Sequence, residues 1–244
     1  MTGNRFRERI YANYTAATCA PLAPDTLDGL APRAAHLTRM VKAHFPADRN
    51  ARILELGCGH GALIHFARQM GYANIEGVDG SSAQVAAARR LGIGGIREGQ
   101  LMEALAAAAD ASYDAVILFD VLEHLTRDEV IDAIDAIARV LKKGGRLILH
   151  VPNGASPFGT LMIYSDFTHE VAFTPESLTQ LFLASGWTRV DCSEDPPAVH
   201  GAASFVRAVL WRGIRAILRF YLAVETGSRR HDVLTQNLFA VAVK

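Results

Sequence analysis

The stretch Arg52-Ile53-Leu54-Glu55-Leu56-Gly57-Cys58-Gly59-His60-Gly61-Ala62, running on into Leu63-Ile64-His65-Phe66-Ala67-Arg68-Gln69-Met70, decides how the chain is read. Ile53, Leu54 and Leu56 form a short apolar run suited to a buried parallel strand, and the periodic segment behind them suits a helix. Gly57, Gly59 and Gly61 lie between the two. Lacking a Cβ, they let the backbone take unusual conformations and let a ligand approach the main chain, with Cys58 read beside them as a contact. The first N–H groups of the helix stay free to donate.

A glycine turn of this kind also occurs in dinucleotide enzymes, because Gly57, Gly59 and Ala62 satisfy G-x-G-x-x-G/A. Asn74-Ile75-Glu76-Gly77-Val78-Asp79 reads as a second strand ending in a carboxylate, where such folds clamp ribose hydroxyls. Glu55, just ahead of the glycines, repels a pyrophosphate and attracts a cation. The pair of acids favours a sulfonium nucleoside with an amino-acid tail.

These residues resemble class I S-adenosylmethionine (SAM) methyltransferases, whose first motif is an acid followed by Gly-x-Gly-x-Gly. The resemblance continues through Gly77-Val78-Asp79-Gly80-Ser81, the segment from Tyr113 to Leu125 and that from Leu141 to Asn153, in family order over residues 50–190. It implies an α/β, Rossmann-like seven-stranded sheet of order 3-2-1-4-5-7-6, with the last strand antiparallel and helices on both faces. It also implies SAM as cofactor, held by Glu55, Gly57, Cys58, Gly59, Gly61, Asp79, Gly80, Ser81, Gln100, Leu101, Met102 and Phe119. Family members usually carry an acid after the third strand to accept the adenine amino group. This chain has Gly99-Gln100-Leu101-Met102 there, and the Gln100 amide oxygen can take that role.

With 244 residues the chain suffices for one sizeable core. The 25 basic and 25 acidic residues balance, and no long Lys/Arg run supplies a local field, which argues against a polymeric nucleic-acid substrate. Cys19, Cys58 and Cys192 are far apart and form no C-x-x-C pair, so neither a disulfide scaffold nor a zinc knuckle is suggested. Charges from Arg5 to Arg9 interrupt any signal-peptide core, and no uncharged apolar run reaches membrane-span length; a cytoplasmic protein is expected.

In chain order, a helical cap is expected over residues 1–49, with helices at 5–17 and 25–44, and a SAM-binding core over 50–244. Tyr11 and Tyr14 are spaced to share a face of the first helix; in similar methyltransferases a leading helix folds over the SAM pocket, but ordinary packing tyrosines are the reading taken. Ser81 caps a helix over 83–91, strands follow at 96–98 and 116–119, and Thr126 to Glu129 opens a capped helix running to Lys142. Further strands are expected at 146–151, 187–192 and 237–243, with a helix from Thr174-Pro175 to Gly186.

Two insertions depart from a minimal core. The loop 152–173 is read as the acceptor-side wall. The segment 199–226 contains an amphipathic helix, 205–224, with Val206, Leu210, Ile214, Ile217 and Tyr221 on one face and Arg212, Arg215 and Arg219 opposite. Such a helix can lie on an anionic membrane surface or hold a polyanion. Packing against the core, or against a second subunit in a homodimer, is the commoner use and the reading taken.

Methyl transfer from a sulfonium is an in-line displacement, so positioning and removal of the acceptor proton fall to the protein. Asp120, Glu123, His124 and His169 are the catalytic candidates; the plainer readings are a carboxylate at a helix start for Glu123 and a capping histidine for His124. In ubiquinone-pathway and small-RNA 2′-O-methyltransferases an acid, a Glu three residues on and an adjacent His hold a divalent cation, with a further loop His in the RNA enzymes. Carried over, these are the same four residues. Many metal-free relatives share the Leu-Glu-His, so no metal set is assigned: His124 or His169 is read as a general base, with a divalent cation left open.

The segments Asp166 to Leu178 and Val233 to Val243 resemble methyltransferases of bacterial surface-polysaccharide biosynthesis, which implies a small-molecule or saccharide hydroxyl as acceptor. Two competing classes remain. An NAD-dependent oxidoreductase would need a hydride-acceptor domain that the sequence lacks, and a non-catalytic binding module is disfavoured by the intact glycines and Asp79.

Overall fold

A computed structural model describes residues 5–12, 23–227 and 233–244. The apolar run becomes β1 (Ile53–Leu56), joined in parallel to β2 (Ile75–Asp79) and β4 (Tyr113–Phe119). β3 (Ile96–Glu98) extends the sheet beyond β2, and β5 (Leu141–Pro152) pairs in parallel with β4. β7 (Asn237–Val243) then inserts antiparallel between β5 and β6 (Arg189–Glu194), giving the order 3-2-1-4-5-7-6 with only β7 reversed. The expected sheet is therefore the observed one.

Alternation along β1 divides the core between the two faces. Leu54 and Leu56 pack with Leu105, Ile134 and Phe182, while Ile53 packs with Leu37, Met40, Ile64 and Tyr72. The first set brings in α5 (Leu101–Ala107), α6 (Arg127–Val140) and α8 (Pro175–Ala184). The second brings in α2 (Ala31–His44) and α3 (Ala62–Gln69), and α4 (Ser82–Arg90) joins through Ala88. α2, read from sequence as part of a cap, thus belongs to a sheet face, while α1 (Arg5–Ala12) lies over the cavity described below. The Tyr11 side chain and Tyr14 fall outside the described residues.

Local chemistry explains several boundaries. Thr126 and Glu129 form the reciprocal capping box that opens α6, and Thr174 with Ser177 does the same for α8. α6 ends at Val140 rather than Lys142, because Leu141 is fully buried and pairs with Tyr113 in the sheet. The helix α5 has no counterpart in the sequence reading. At seven residues it is too short to display a period, and burial of Ala104 and Leu105 fixes it.

The insertion at 152–173 is closed at its base by Asn153, which is fully buried and donates through Nδ2 to the carbonyls of Val233 and Thr235. Gly154 N–H donates to the Phe173 carbonyl at 2.7 Å, and α7 (Gly159–Ile163) forms the middle of the loop. The second insertion is α9 (Ala202–Thr226), and the expectation that its Val206 face packs against the core is overturned. Val206, Leu210, Ile214, Ile217 and Tyr221 face outward at 50 % exposure or more, whereas Ser204, Trp211, Leu218 and Leu222 turn toward the body. Arg215 lies on the inner side and pairs with Glu194 at 2.8 Å.

Gly61 has φ +80°, and a Cβ there would meet Ile96 Cδ1 at 2.2 Å. Gly61→Ala is expected to lower unfolding stability by about 1–3 kcal/mol, read as a reduced urea midpoint at unchanged m-value.

Candidate active site

After Leu56 the chain turns back on itself, and the N–H groups of Gly57 and Cys58 both donate to the Val78 carbonyl, at 2.8 and 3.2 Å. Gly57 sits at φ +73°, with Val121 Cγ2 only 2.3 Å from where a Cβ would lie. Asp79, at the end of β2, accepts from Gly59 N–H at 2.7 Å through one oxygen and from Ser81 N–H at 2.8 Å through the other. Burial raises its pKa, while these two bonds favour the carboxylate. Asp79 therefore ties the glycine turn to the head of α4, a role the sequence reading did not give it.

The turn opens onto a cavity of about 510 Å³. Gly57, Asp79, Gly80, Ser81, Gln100, Leu101, Met102, Asp120 and His124 line it, joined by Arg7, Gln84, Val121, Leu125 and Glu129. A second cavity of about 120 Å³ is lined by Glu55, Cys58, Phe119, Arg33 and His60, and the two share Gly57 and Asp120. Gly59 and Gly61 shape the turn and line neither; Glu123 and His169 also line neither. Arg7 on α1 bridges Glu129 at 2.7 Å, donates to the His124 carbonyl and lies 3.5 Å from Glu170, fastening the leading helix at the mouth.

Glu55 is 3 % exposed, and its Oε2 has no hydrogen-bond partner. Burial drives its pKa to about 8, partly offset by Arg33 and reinforced by Asp79. Arg33, exposed on α2, lines the same small cavity as Glu55, and its charge favours the ionised carboxyl. No local signal in the sequence marks Arg33, which arrives from α2. Burial also pushes the Cys58 thiol well above its ordinary value, which makes it a packing group.

At the other end, Glu123, His124 and His169 each offer one ligand atom within 4.8 Å of the other two. Leu122–His124 is a 3-10 turn, and the Glu123 carbonyl accepts from Glu170 N–H at 2.8 Å, drawing the end of the acceptor loop onto it. His124 Nδ1 lies 2.8 Å from Thr168 Oγ1, whose hydroxyl donates to Asp166 at 2.6 Å. Nδ1 is therefore the protonated nitrogen of His124 and Nε2 keeps its lone pair. His169 Nδ1 donates to the Ile163 carbonyl at 3.0 Å, which leaves its Nε2 in the same state. Burial, and then His169, lower the His124 pKa. Glu123 is 1 % exposed with an unpartnered Oε2, and burial followed by Asp120 raises its pKa to about 8.

Asp120 does not join that group. Held at φ +55°, it directs its carboxylate to His150 Nδ1 at 2.5 Å, and His150 Nε2 lies 3.3 Å from Asp195. Arg39 binds Asp195 at 2.6 Å, and Phe119 stacks on the His150 ring at 4.2 Å between centroids. Burial disfavours the imidazolium, but the bonds to Asp120 and Asp195 outweigh it and hold the pKa up to about 9. His150 was quoted in the sequence only as part of a strand. A titratable residue inside the apolar run Leu147-Ile148-Leu149-His150-Val151 was the available signal.

A parallel sheet carrying a glycine turn, an acid at the end of β2 and a cavity at the carboxyl edge defines the class I SAM-dependent methyltransferase fold. The profile of a family described as a methyltransferase domain matches residues 31–191, and the chain belongs to that family. Among curated relatives, the ubiquinone biosynthesis O-methyltransferase of Xanthomonas oryzae pv. oryzae is 36 % identical over 107 residues, 42 % of this chain and 44 % of that protein. The O-methyltransferase resE of Aspergillus sclerotiorum is 32 % identical over 130 residues, 48 % of each chain. The chain thus spans less than half the length of these relatives. A SAM-dependent methyltransferase from Archaeoglobus fulgidus superposes with a TM-score of 0.66 at 17 % identity, covering 97 % of this chain and 99 % of that one.

Two outcomes follow from the buried ionisable groups. His150 has a folded pKa above its unfolded value, so its stabilisation is complete below about 6.5 and is lost as pH rises through about 9. His150→Gln should cost ~3 kcal/mol at pH 7, and urea titrations of the two proteins should converge by pH 10. Glu55 must ionise to face an ammonium group, so SAM affinity should weaken as pH falls below about 8, by roughly tenfold per unit at most. Calorimetry near pH 7 should then show a proton released on binding; heats independent of the buffer's ionisation enthalpy would contradict this.

Proposed function

We propose that the protein transfers a methyl group from SAM to a hydroxyl of a small-molecule acceptor, and that Glu123, His124 and His169 form the acceptor end of the site. The observation that carries this reading is the pair of histidines whose Nδ1–H groups are both engaged, leaving two Nε2 atoms beside the buried Glu123 carboxyl group. An O-linked acceptor is supported by the two curated relatives, which are O-methyltransferases. A saccharide acceptor rests on the sequence resemblance alone, and the ubiquinone relatives add phenolic quinone precursors to the candidates.

When bound, SAM supplies an electrophilic methyl group. Asp79 has lone pairs left that would accept from ribose hydroxyls, Glu55 and Arg33 would face the ammonium and carboxylate of the methionine tail, and Gln100 would accept from the adenine amino group. The Nε2 of His124 or His169 would accept the acceptor proton, with the acceptor hydroxyl in line with the methyl group. The base form of His124 is lost only below the ordinary imidazole value, so the acid limb of turnover should lie under pH 6.5.

The unpartnered Glu123 Oε2 favours a second reading. The Glu123 carboxyl and two imidazoles with engaged Nδ1–H groups fit the donor set of a divalent transition metal, which would take the carboxyl in its ionised form. Such a cation would lower the pKa of a hydroxyl placed on it.

The test is a screen with labelled SAM against saccharides, sugar nucleotides and quinone precursors. Once an acceptor is found, His124→Gln and His169→Gln should lower turnover by about 10²- to 10⁴-fold with SAM affinity unchanged. Activity insensitive to chelator identifies the base; activity lost to chelator and restored by a divalent ion identifies the cation. Full activity of both histidine variants would remove the site from the chemistry. Asp79→Ala should weaken SAM binding by about 1.5–3 kcal/mol, and unchanged affinity would place the ribose elsewhere.

A further inference from the structure

α9 is apolar on both sides. Its 25 residues extend roughly 37 Å at the helical rise, and Trp211, Leu218 and Leu222 suffice to seat it against the body. The opposite side then meets water: Val206, Leu210, Ile217, Phe220, Tyr221 and Val224 are each 55 % or more exposed, with Phe220 and Val224 at 71 %. Single exposed apolar residues are ordinary, but a continuous row of this size is not.

The row does not stand alone. Ile214 of α9 lines one cavity with Pro157 and Phe158, at the start of the loop that carries α7. That loop exposes Phe158 at 61 %, Leu161 at 64 %, Tyr164 at 82 % and Phe167 at 77 %. The apolar surface therefore runs from α9 onto the acceptor loop, whose Ile163 carbonyl holds His169.

Charge decides what covers it. α9 carries Arg207, Arg212, Arg215 and Arg219 against the single acid Glu225. Arg215 is engaged by Glu194, so its charge is answered. Arg207 and Arg212 are exposed, and at 3.6 residues per turn they fall on opposite flanks of the apolar row. A two-fold dimer through this face sets the patch against itself, bringing arginine-rimmed rows together with little acid to offset them. A surface that is apolar in depth and negative at its boundary satisfies both features.

We propose that this face docks on an anionic lipid bilayer, with α9 lying in the interface and the loop around α7 beside it. The loop whose Ile163 carbonyl holds His169 then lies at the membrane surface. Docking uses no step of methyl transfer, so it stands or falls separately from the reading of the active site.

Co-sedimentation of the full chain with vesicles tests this. Binding is expected to phosphatidylcholine vesicles containing phosphatidylglycerol, to be weaker on phosphatidylcholine alone, and to fall with added salt. Ile217→Asp with Phe220→Asp, both at exposed positions, should weaken it by about tenfold or more at unchanged thermal unfolding. Arg207→Glu and Arg212→Glu should each weaken it by about fivefold on the anionic vesicles only. The proposal is overturned if the folded protein ignores anionic vesicles. It is equally overturned if light scattering finds a dimer that Ile217→Asp and Phe220→Asp dissociate, since the occupant would then be a second copy.

Discussion

The two hydrogen bonds into the Asp79 carboxylate, from Gly59 N–H and Ser81 N–H, join the ends of β1 and β2 to the starts of the helices that follow them. A half-buried carboxylate is stabilised by donors that replace water, and here backbone N–H groups supply them, fixing the glycine turn relative to the sheet edge. The floor of the large cavity, from Gly57 through Asp79 to Ser81, takes its shape from that arrangement. Positive φ at Gly57, and contact distances that leave no room for a Cβ, keep the main chain itself as the cavity wall.

The site is held from two sides by groups far apart in sequence. On one side the imidazolium of His150 lies between Asp120 and Asp195, with Arg39 completing a network of two carboxylates and two cations. Buried ion pairs offset their desolvation only when their partners are well placed, and this one holds Asp120 in a left-handed conformation beside the cofactor cavity. On the other side, Glu123 accepts two backbone bonds from the acceptor loop, at Glu170 and Val171. The turn that carries His124 and the loop that carries His169 thereby become one unit.

Several features were legible because they are local. The glycine turn, the acid Asp79 closing the next strand, the capping box at Thr126 and the Pro175 helix start depend on residues within a few positions of one another, or on strand and helix periods. The pairing of His150 with Asp120 and Asp195 spans 30 and 45 residues and has no period to reveal it. Arg33 likewise comes to line the cavity beside Glu55 only because α2 packs on the same face of the sheet.

The amino-acid sequence by itself determined the order of the strands and of the longer helices, the glycine turn and the acids flanking it, since backbone conformation and hydrophobic period are encoded residue by residue. The tertiary structure alone decided which carboxylate meets which imidazole and which side of α9 faces outward. The helix has apolar residues around most of its circumference, so its own pattern does not choose a side. The choice falls to Trp211, Leu218 and the Arg215–Glu194 pair, whose partners lie elsewhere in the fold.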